Sequence, residues 1–246
     1  MAMVYKLLKR LLTPYLERRF RNQPAMSCLC PDNLYAYFDL IYKTRLSDGA
    51  IVEVGCATGA TAAMAYTLLA RQGIIKRYVC YDTFSGFVRD QVNHDLELGL
   101  PEDHAGMFSD NSFEQVRARL DNWGLPKIEL MKADVSQLLA SDLPAEISCC
   151  LIDVDLSLPT YDALCLIYPK LQEGGTIVVD DCTAGTGWVG AIQGYRRFMQ
   201  DHSLDQKFYM GFGVVTKGDI DFLHWDLKNQ PLQETRYLYN RANPIV

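Results

Sequence analysis

Four aspartates follow two apolar runs that are typical of buried strands. Asp153 and Asp155 come directly after Ile147–Ile152, and Asp180 and Asp181 come directly after the run TIVV. If the two strands are neighbours in a parallel sheet, the four carboxylates meet at one edge, where their repulsion favours a bound cation. An all-oxygen donor set suits a hard ion such as Mg²⁺. The alternative is that Asp155 and Asp180 face solvent or cap helices.

A glycine-containing turn follows an earlier apolar run, Ala50–Val54. In the segment VEVGCATGAT, Gly55 allows a sharp turn and Gly59 allows the next helix to begin close to a ligand. Glu53 supplies a carboxylate near the same turn. The glycine spacing differs from the G-x-G-x-x-G fingerprint of dinucleotide-binding folds. Taken alone, this turn is equally compatible with a purely structural role.

Two more aspartates follow predicted strands. Asp82 comes after the run YVCY, a position suited to holding the hydroxyl pair of a ribose. Asp134 holds the corresponding position after the next strand, where an acceptor could meet an adenine amino group. Each also has a structural alternative, because Asp82 could cap the segment that follows it and Asp134 could cap a helix at residues 136–139.

Apolar runs and helical periodicity alternate along most of the chain. The predicted strands are residues 50–54, 77–81, 127–131, 147–152 and 176–179. The predicted helices are residues 33–42, 58–71, 111–123, 159–171 and 190–200, with Gly174 and Gly175 ending the fourth. A terminal hairpin is predicted over residues 207–216. This alternation predicts an α/β fold with a mostly parallel sheet, whose ligands bind beyond the carboxyl ends of the strands.

Two segments lie outside this alternation. Residues 83–110 are polar and too long for an idle connection, which indicates a functional lid. Residues 3–22 interleave apolar and basic side chains at helical spacing, with a kink expected at Pro14. That helix could lie on an anionic membrane surface, but packing on the domain or on a partner subunit is the favoured interpretation. It has no signal-peptide apolar core, and no run approaches the roughly 20 apolar residues of a membrane span.

Composition and net charge limit the classes of molecule that we expect the protein to bind. The net charge of −6 argues against a nucleic-acid partner, because phosphate binding relies on clustered Lys and Arg. The eight cysteines do not form a disulfide framework, since several lie in apolar runs where free cysteine acts as a small hydrophobe. We therefore expect a cytoplasmic protein without stable membrane insertion.

Several segments, taken in their order along the chain, resemble those of class I S-adenosylmethionine-dependent methyltransferases. Within that class they resemble the macrocin O-methyltransferase family. They are VEVGCATGAT, YDTFSGF, the run I-D-V-D-L-x-x-x-T-x-x-A-L-x-x-x-Y-P-K-L-x-x-G-G, VVDD, and MGFGVVTKG. The resemblance implies a Rossmann-like fold with a mostly parallel seven-stranded sheet flanked by helices. It implies a methyltransferase domain at residues 33–218 with its lid at about 83–110. Residues 1–32 are then an N-terminal helical extension and residues 219–246 a C-terminal one.

The resemblance also implies a reaction. A methyl group would pass from S-adenosylmethionine to a hydroxyl of a small molecule, such as a natural-product sugar or polyketide. Asp82 would hold the donor's ribose and Asp134 would lie beside its adenine. The residues implied to bind the donor are Glu53, Gly55, Cys56, Gly59, Asp82, Thr83, Asp134, Val135 and Asp153.

A metal and a base follow from the same resemblance. Asp153, Asp180 and Asp181 would hold a magnesium ion, and Asp155 is the candidate general base, although the roles of Asp153 and Asp155 could be exchanged. Trp188 could stack on the acceptor or pack beneath a loop. A homodimer formed through the N-terminal helix is possible.

The chain has four histidines. His94 and His104 lie in the lid, where they could touch substrate but are more often solvated, whereas His202 and His224 are expected to be structural. Two rival functions stay open, a nucleotide-binding oxidoreductase and a non-catalytic S-adenosylmethionine-binding protein.

Overall fold

The computed structural model describes residues 27–183 and 187–218. The proposed N-terminal helix and C-terminal extension, with His224, lie outside these residues. The elements, in chain order, are helix α1 Pro31–Lys43, strand β1 Ala50–Val54, α2 Ala60–Arg71, β2 Tyr78–Asp82, α3 Arg89–Glu97, α4 Phe113–Asn122, β3 Glu129–Lys132, β4 Ile147–Ile152, α5 Ser157–Ile167, β5 Leu171–Val179, α6 Gly190–Asp201, β6 Lys207–Tyr209 and β7 Phe212–Thr216.

Seven strands form one sheet in the order β3-β2-β1-β4-β5-β7-β6. Strands β1 to β5 pair in parallel, and β7 pairs antiparallel with both β5 and β6. The chain builds outward from β1 through β2 to β3 and then returns to place β4 on the other side of β1. This reversal leaves a crevice beyond the carboxyl ends of β1 and β4, the usual ligand position in such sheets. The predicted fold class is confirmed.

The central strands are buried on both faces, which explains why most of their residues are apolar. Alternate side chains of β1 enter two separate cores. Ile51 packs with α1, α2 and α4 on one face, whereas Val52 and Val54 pack with α5 and α6 on the other. Within the described residues, no helix is both long and apolar enough to cross a membrane.

Two of the predicted helices are present, and local chemistry explains the residue at which each begins. Helix α4 begins after Ser112, whose Oγ accepts a hydrogen bond of 3.2 Å from the Gln115 N–H. Helix α2 begins two residues later than predicted because Gly59 has a left-handed φ of 76° and therefore precedes the helix.

Three predicted elements were wrong in detail. The segment 83–110 is not simply a loop, because it contains α3 and a short 3₁₀ turn at Glu102–His104. The helix predicted over 159–171 is α5, which ends at Ile167; Pro169 then lies in a 3₁₀ turn, since it lacks the amide hydrogen that a continuing helix needs. Gly174 and Gly175 lie inside β5 rather than ending a helix.

The third correction concerns the segment after β3. The helix predicted at residues 136–139 is a single 3₁₀ turn, Val135–Gln137. The hairpin predicted near the end of the described chain is confirmed as β6 and β7, with Gly211 at the turn between them.

Candidate active site

A cavity of about 920 Å³ opens beyond the carboxyl ends of β1, β2, β4 and β5. Ligand pockets commonly measure about 300–1,000 Å³, so this one is near the upper end and has room for two ligands side by side. The sequence-predicted residues that line it are Gly55, Asp82, Thr83, Asp134, Val135, Asp153, Asp155, Asp180 and Asp181. The structure thus brings most of the predicted site together.

Gly55 determines how closely β1 and β4 approach at the cavity. Its φ is 85°, and a Cβ at this position would lie 1.8 Å from the Asp153 carbonyl oxygen. The neighbouring backbone hydrogen bond, from the Asp153 N–H to the Val54 carbonyl oxygen at 2.8 Å, holds the two strand ends together. Only glycine fits this contact, and the contact sets where Asp153 enters the cavity.

Glu53, Cys56 and Gly59 are not among the residues that line the cavity. Glu53 is only 1% exposed and accepts a 2.5 Å hydrogen bond from the Tyr78 hydroxyl, which lies 2.9 Å from the Tyr37 hydroxyl. Burial raises the pKa of the Glu53 carboxyl to about 8. Glu53 therefore belongs to a buried hydrogen-bonded chain behind the cavity floor.

The Asp82 carboxylate stabilises the turn that follows β1 through two hydrogen bonds. Its Oδ2 accepts from the Ala57 N–H at 2.8 Å and its Oδ1 from the Phe84 N–H at 2.6 Å. Burial raises the pKa of the Asp82 carboxyl, and these backbone donors oppose the rise. Each carboxylate oxygen has a second lone pair, so Asp82 can still accept a hydrogen bond from a ligand in the cavity.

The Asp134 side chain accepts hydrogen bonds both from the turn after β3 and from the lid. Its Oδ1 accepts from the Ser136 N–H at 3.0 Å, so Asp134 caps the 3₁₀ turn Val135–Gln137. The same oxygen accepts from the Gln91 amide at 3.1 Å, and Gln91 also lines the cavity. Sequence reasoning missed Gln91 because nothing in a polar lid segment marks which side chain turns inward.

The four aspartates after β4 and β5 form the acidic cluster Asp153, Asp155, Asp180 and Asp181. Burial and the neighbouring aspartates raise the pKa of Asp153 and Asp155 well above the usual range. Burial, and then Asp181, raise the pKa of Asp180 to about 7. Asp155 and Asp181 also have positive φ values of 61° and 52°, and such strained backbone tends to occur at functional sites.

The acidic cluster offers the oxygen donors that a hard divalent cation prefers, and a cation would relieve the repulsion within it. In the described part of the chain, however, no three His, Cys, Asp or Glu side chains are arranged to hold a metal ion. The donor chemistry therefore fits magnesium, while the arrangement needed to ligate it is not preformed.

Asn33 is a site residue that sequence reasoning missed. Its amide nitrogen donates a short hydrogen bond to Asp180 Oδ1, and its amide oxygen accepts from the Cys30 thiol at 2.7 Å. Asn33 is buried and lines the cavity together with the preceding segment 27–31, which the predicted boundary assigned to the extension. Its partner lies 147 residues away, so only the folded chain reveals the contact.

Three aromatic side chains, Phe87, Phe108 and Trp188, form what we call the aromatic wall of the cavity. The Phe87 ring lies edge-on to both others, with centroids 5.6 Å from Phe108 and 5.8 Å from Trp188. The buried His104 ring lies 4.5 Å from Trp188 and is not among the lining residues. His94 does not line the cavity either, and His202 stacks on Phe198 as a structural residue.

Asp95 anchors the lid helix α3 to the rest of the domain. This fully buried carboxylate accepts from the Ser157 N–H at 2.8 Å and from the Ser157 hydroxyl, at the start of α5. A Cβ on Gly190, at the start of α6, would lie 2.0 Å from Asp95 Oδ2. The lid helix is therefore docked on the two helices that follow the acidic cluster.

The chain is similar to known proteins in both sequence and fold. Residues 32–208 match the macrocin-O-methyltransferase family. A Streptomyces olivaceus protein, described as 8-demethyl-8-(2,3-dimethoxy-alpha-L-rhamnosyl)-tetracenomycin-C 4'-O-methyltransferase, is 29% identical over 148 residues. That match covers 56% of each protein, so the chain spans little more than half the length of this curated relative.

Two solved structures share the fold. The O-methyltransferase NovP superposes with a TM-score of 0.68 at 18% identity, over 82% of this chain and 88% of that one. The calicheamicin methyltransferase CalS11 superposes with a TM-score of 0.60 at 22% identity, over 76% and 79%. The family match extends over most of the chain and includes every aspartate of the cavity. The chain belongs to the macrocin O-methyltransferase family.

Proposed function

We propose that this protein transfers the methyl group of S-adenosylmethionine to a hydroxyl oxygen of a small natural product, with magnesium at the acidic cluster. The observation that carries the proposal is one cavity that joins the Gly55 turn and Asp82 on one side to the acidic cluster on the other. A methyl donor and a hydroxylated acceptor need such neighbouring subsites. The family membership supports the same reaction.

The donor would occupy the side of the cavity formed by the ends of β1, β2 and β3. Gly55 lines this side of the cavity, while Asp82 and Asp134 offer carboxylate oxygens to ribose and adenine groups. The donor's sulfonium is a cation, and a cavity lined by aspartates attracts it electrostatically.

The reaction itself is a displacement. The acceptor oxygen forms a bond to the methyl carbon as the sulfur–methyl bond breaks, which releases S-adenosylhomocysteine, and the hydroxyl proton passes to Asp155 or Asp153. Both carboxylates line the cavity beside Asp180 and Asp181, where either can accept the proton of an acceptor hydroxyl. Holding the methyl group and the oxygen in line supplies much of the remaining rate.

Asp153, Asp180 and Asp181 are the residues that we propose to hold magnesium. When bound, the ion would orient the acceptor hydroxyl and favour its deprotonated form. Asn33 keeps one oxygen of Asp180 occupied, which leaves the other for a ligand. The eight cysteines are all free thiols, which supports a reducing cytoplasm as the proposed compartment.

The test begins with ligand binding. Thermal unfolding is measured with S-adenosylmethionine, S-adenosylhomocysteine or NAD, each with and without magnesium. A ligand at about 100 times its Kd adds roughly 2.7 kcal/mol to the free energy of unfolding. Stabilisation by the S-adenosyl compounds alone is expected. Stabilisation by NAD alone would support the oxidoreductase rival instead.

The second step separates catalysis from binding. We expect Asp181→Ala to abolish methyl transfer and to leave S-adenosylhomocysteine affinity largely intact, since Asp181 is assigned to the acceptor side. Asp205→Asn, which changes an exposed aspartate between α6 and β6, is the matched control and should retain activity. Loss of donor binding in Asp181→Ala would contradict the assignment. A wild-type protein that binds the donor but methylates no hydroxylated acceptor would favour the non-catalytic rival.

A further inference from the structure

We propose that Gln91, from the lid helix α3, is a specificity-determining residue for the methyl donor and selects a donor whose purine carries an amino group. Its amide nitrogen donates to one oxygen of Asp134. The other oxygen of Asp134 and the amide oxygen of Gln91 are then the acceptors for that amino group. This inference rests on the proposed function, because it concerns the base of the same donor.

Two hydrogen bonds fix the orientation of the Gln91 amide. Its Nε2 lies 3.1 Å from Asp134 Oδ1 and 3.2 Å from Ser136 Oγ. A carboxylate oxygen only accepts hydrogen bonds, so the terminal atom of Gln91 that faces Asp134 must be the nitrogen. The two hydrogens of Nε2 are used by these two partners. The amide oxygen is therefore the terminal atom turned away from Asp134 Oδ1.

Two acceptor atoms remain at this part of the cavity. Asp134 Oδ1 accepts from both the Ser136 N–H and the Gln91 amide. Within residues 27–183 and 187–218, no donor contacts Asp134 Oδ2 or Gln91 Oε1, although both residues line the cavity. The adenine amino group has two hydrogens to donate. A ligand that encloses these acceptors without supplying donors leaves them unpaired, which weakens its binding.

Gln91 is held in place by the docking of the lid. Asp95 follows it by four residues on α3, so the two side chains lie on the same face of the helix, and Asp95 is fixed to Ser157. Directly after the lid, the Asn111 amide donates to the Ala57 carbonyl oxygen at 2.6 Å, in the turn that follows β1. The lid segment therefore contacts the donor side of the cavity near both of its ends.

The experiment compares two probes of the donor site. One is S-adenosylhomocysteine, and the other is its 6-deamino analogue, in which hydrogen replaces the adenine amino group. Binding of each is measured by calorimetry on the full-length protein without an acceptor, so that the readout does not depend on turnover. We expect the wild type to bind S-adenosylhomocysteine about 10- to 100-fold more tightly, as lost hydrogen bonds to a charged group imply.

Gln91→Met keeps the length of the side chain and removes its amide. It should lower the ratio of the two affinities at least about fivefold, because it weakens S-adenosylhomocysteine binding and leaves that of the analogue almost unchanged. Ser136→Ala is the second variant, for use if Gln91→Met does not fold. It removes one partner of the Gln91 amide, keeps the backbone donor to Asp134, and should lower the ratio in the same direction.

Gln115→Met is the matched control. It makes the same substitution at an exposed position of α4 that does not line the cavity, and it should leave the ratio unchanged.

The outcomes separate this inference from the proposed function. Equal binding of the two probes by the wild type, or an unchanged ratio in both Gln91→Met and Ser136→Ala, would overturn it. Equal losses of affinity for both probes in Gln91→Met would also overturn it, because they would make the contribution of Gln91 purely structural. Failure of the wild type to bind either probe would refute the proposed function itself.

Discussion

Replacing Glu53 with glutamine should change how the stability of the protein depends on pH. Glu53 is buried, and its hydrogen-bond partner is the Tyr78 hydroxyl at 2.5 Å. Burial raises the pKa of its carboxyl from 4.5 to about 8 in the folded protein. The folded state therefore keeps a proton that the unfolded state loses, and the free energy of unfolding should fall as pH rises between these two values.

The magnitude follows from that difference in pKa. Each pH unit between these two pKa values lowers the free energy of unfolding by up to about 1.4 kcal/mol. Between pH 5 and pH 8 the wild type should lose roughly 3 kcal/mol through Glu53 alone. Glutamine keeps the shape and the oxygen acceptor but cannot ionise, so Glu53→Gln should lack this loss. Any pH-independent effect of the amide on the free energy of unfolding cancels, because only the change of that free energy with pH is compared.

The assay is urea unfolding followed by circular dichroism at half-unit steps from pH 5 to pH 8. Subtracting the variant's curve from that of the wild type removes the contribution of every other titrating group. Glu129→Gln is the matched control, because Glu129 is exposed and its ion pair with Arg77 lowers its pKa. Parallel curves for wild type and Glu53→Gln would refute the reasoning, and so would a wild type that becomes more stable relative to the variant as pH rises.

Two further predictions concern close contacts. Gly55→Ala should lower the free energy of unfolding by about 3 kcal/mol or more and abolish S-adenosylhomocysteine binding, because its Cβ would meet the Asp153 carbonyl oxygen at 1.8 Å. Gly73→Ala is its control, since Gly73 shares a positive φ but has nothing within 4 Å, and it should cost only about 1–2 kcal/mol. Asp95→Ala should cost about 3 kcal/mol in urea unfolding because it leaves the buried Ser157 donors unpaired; a neutral effect would exclude Asp95 as the anchor.

Sequence reasoning identified the central sheet because its signal is local. Strands β1 and β4 match their predicted limits to the residue, since both are mainly apolar and each is interrupted only once, by Glu53 and by Ser148. The aspartates that follow β4 and β5 were predictable for a similar reason, because the end of a strand fixes which edge of the sheet the next residue reaches. Gly55 was identified from its position, but the 1.8 Å approach that requires it depends on Asp153 and appears only in the fold.

The lid helix escaped prediction because it lacks an apolar stripe. In α3 only Val92 and Asp95 are buried, so hydrophobic periodicity gave no sign of a helix. The family resemblance also implied that Glu53 contacts the donor. The alternation of side chains along β1 instead turns it to the face of the sheet that carries Tyr37 and Tyr78, and only the register of β1 against β2 shows this.

The buried contacts of Asp95 connect the segments that carry the acidic cluster and the aromatic wall. The backbone N–H groups at the start of a helix favour a carboxylate, so the charge on α3 is stabilised where α5 begins, two residues after Asp155. The same carboxylate fills the space left by Gly190, two residues after Trp188. The lid segment that carries Phe87 is thereby fixed to both the acidic cluster and the aromatic wall. The relative position of the acidic cluster and the aromatic wall thus depends on a side chain that does not line the cavity.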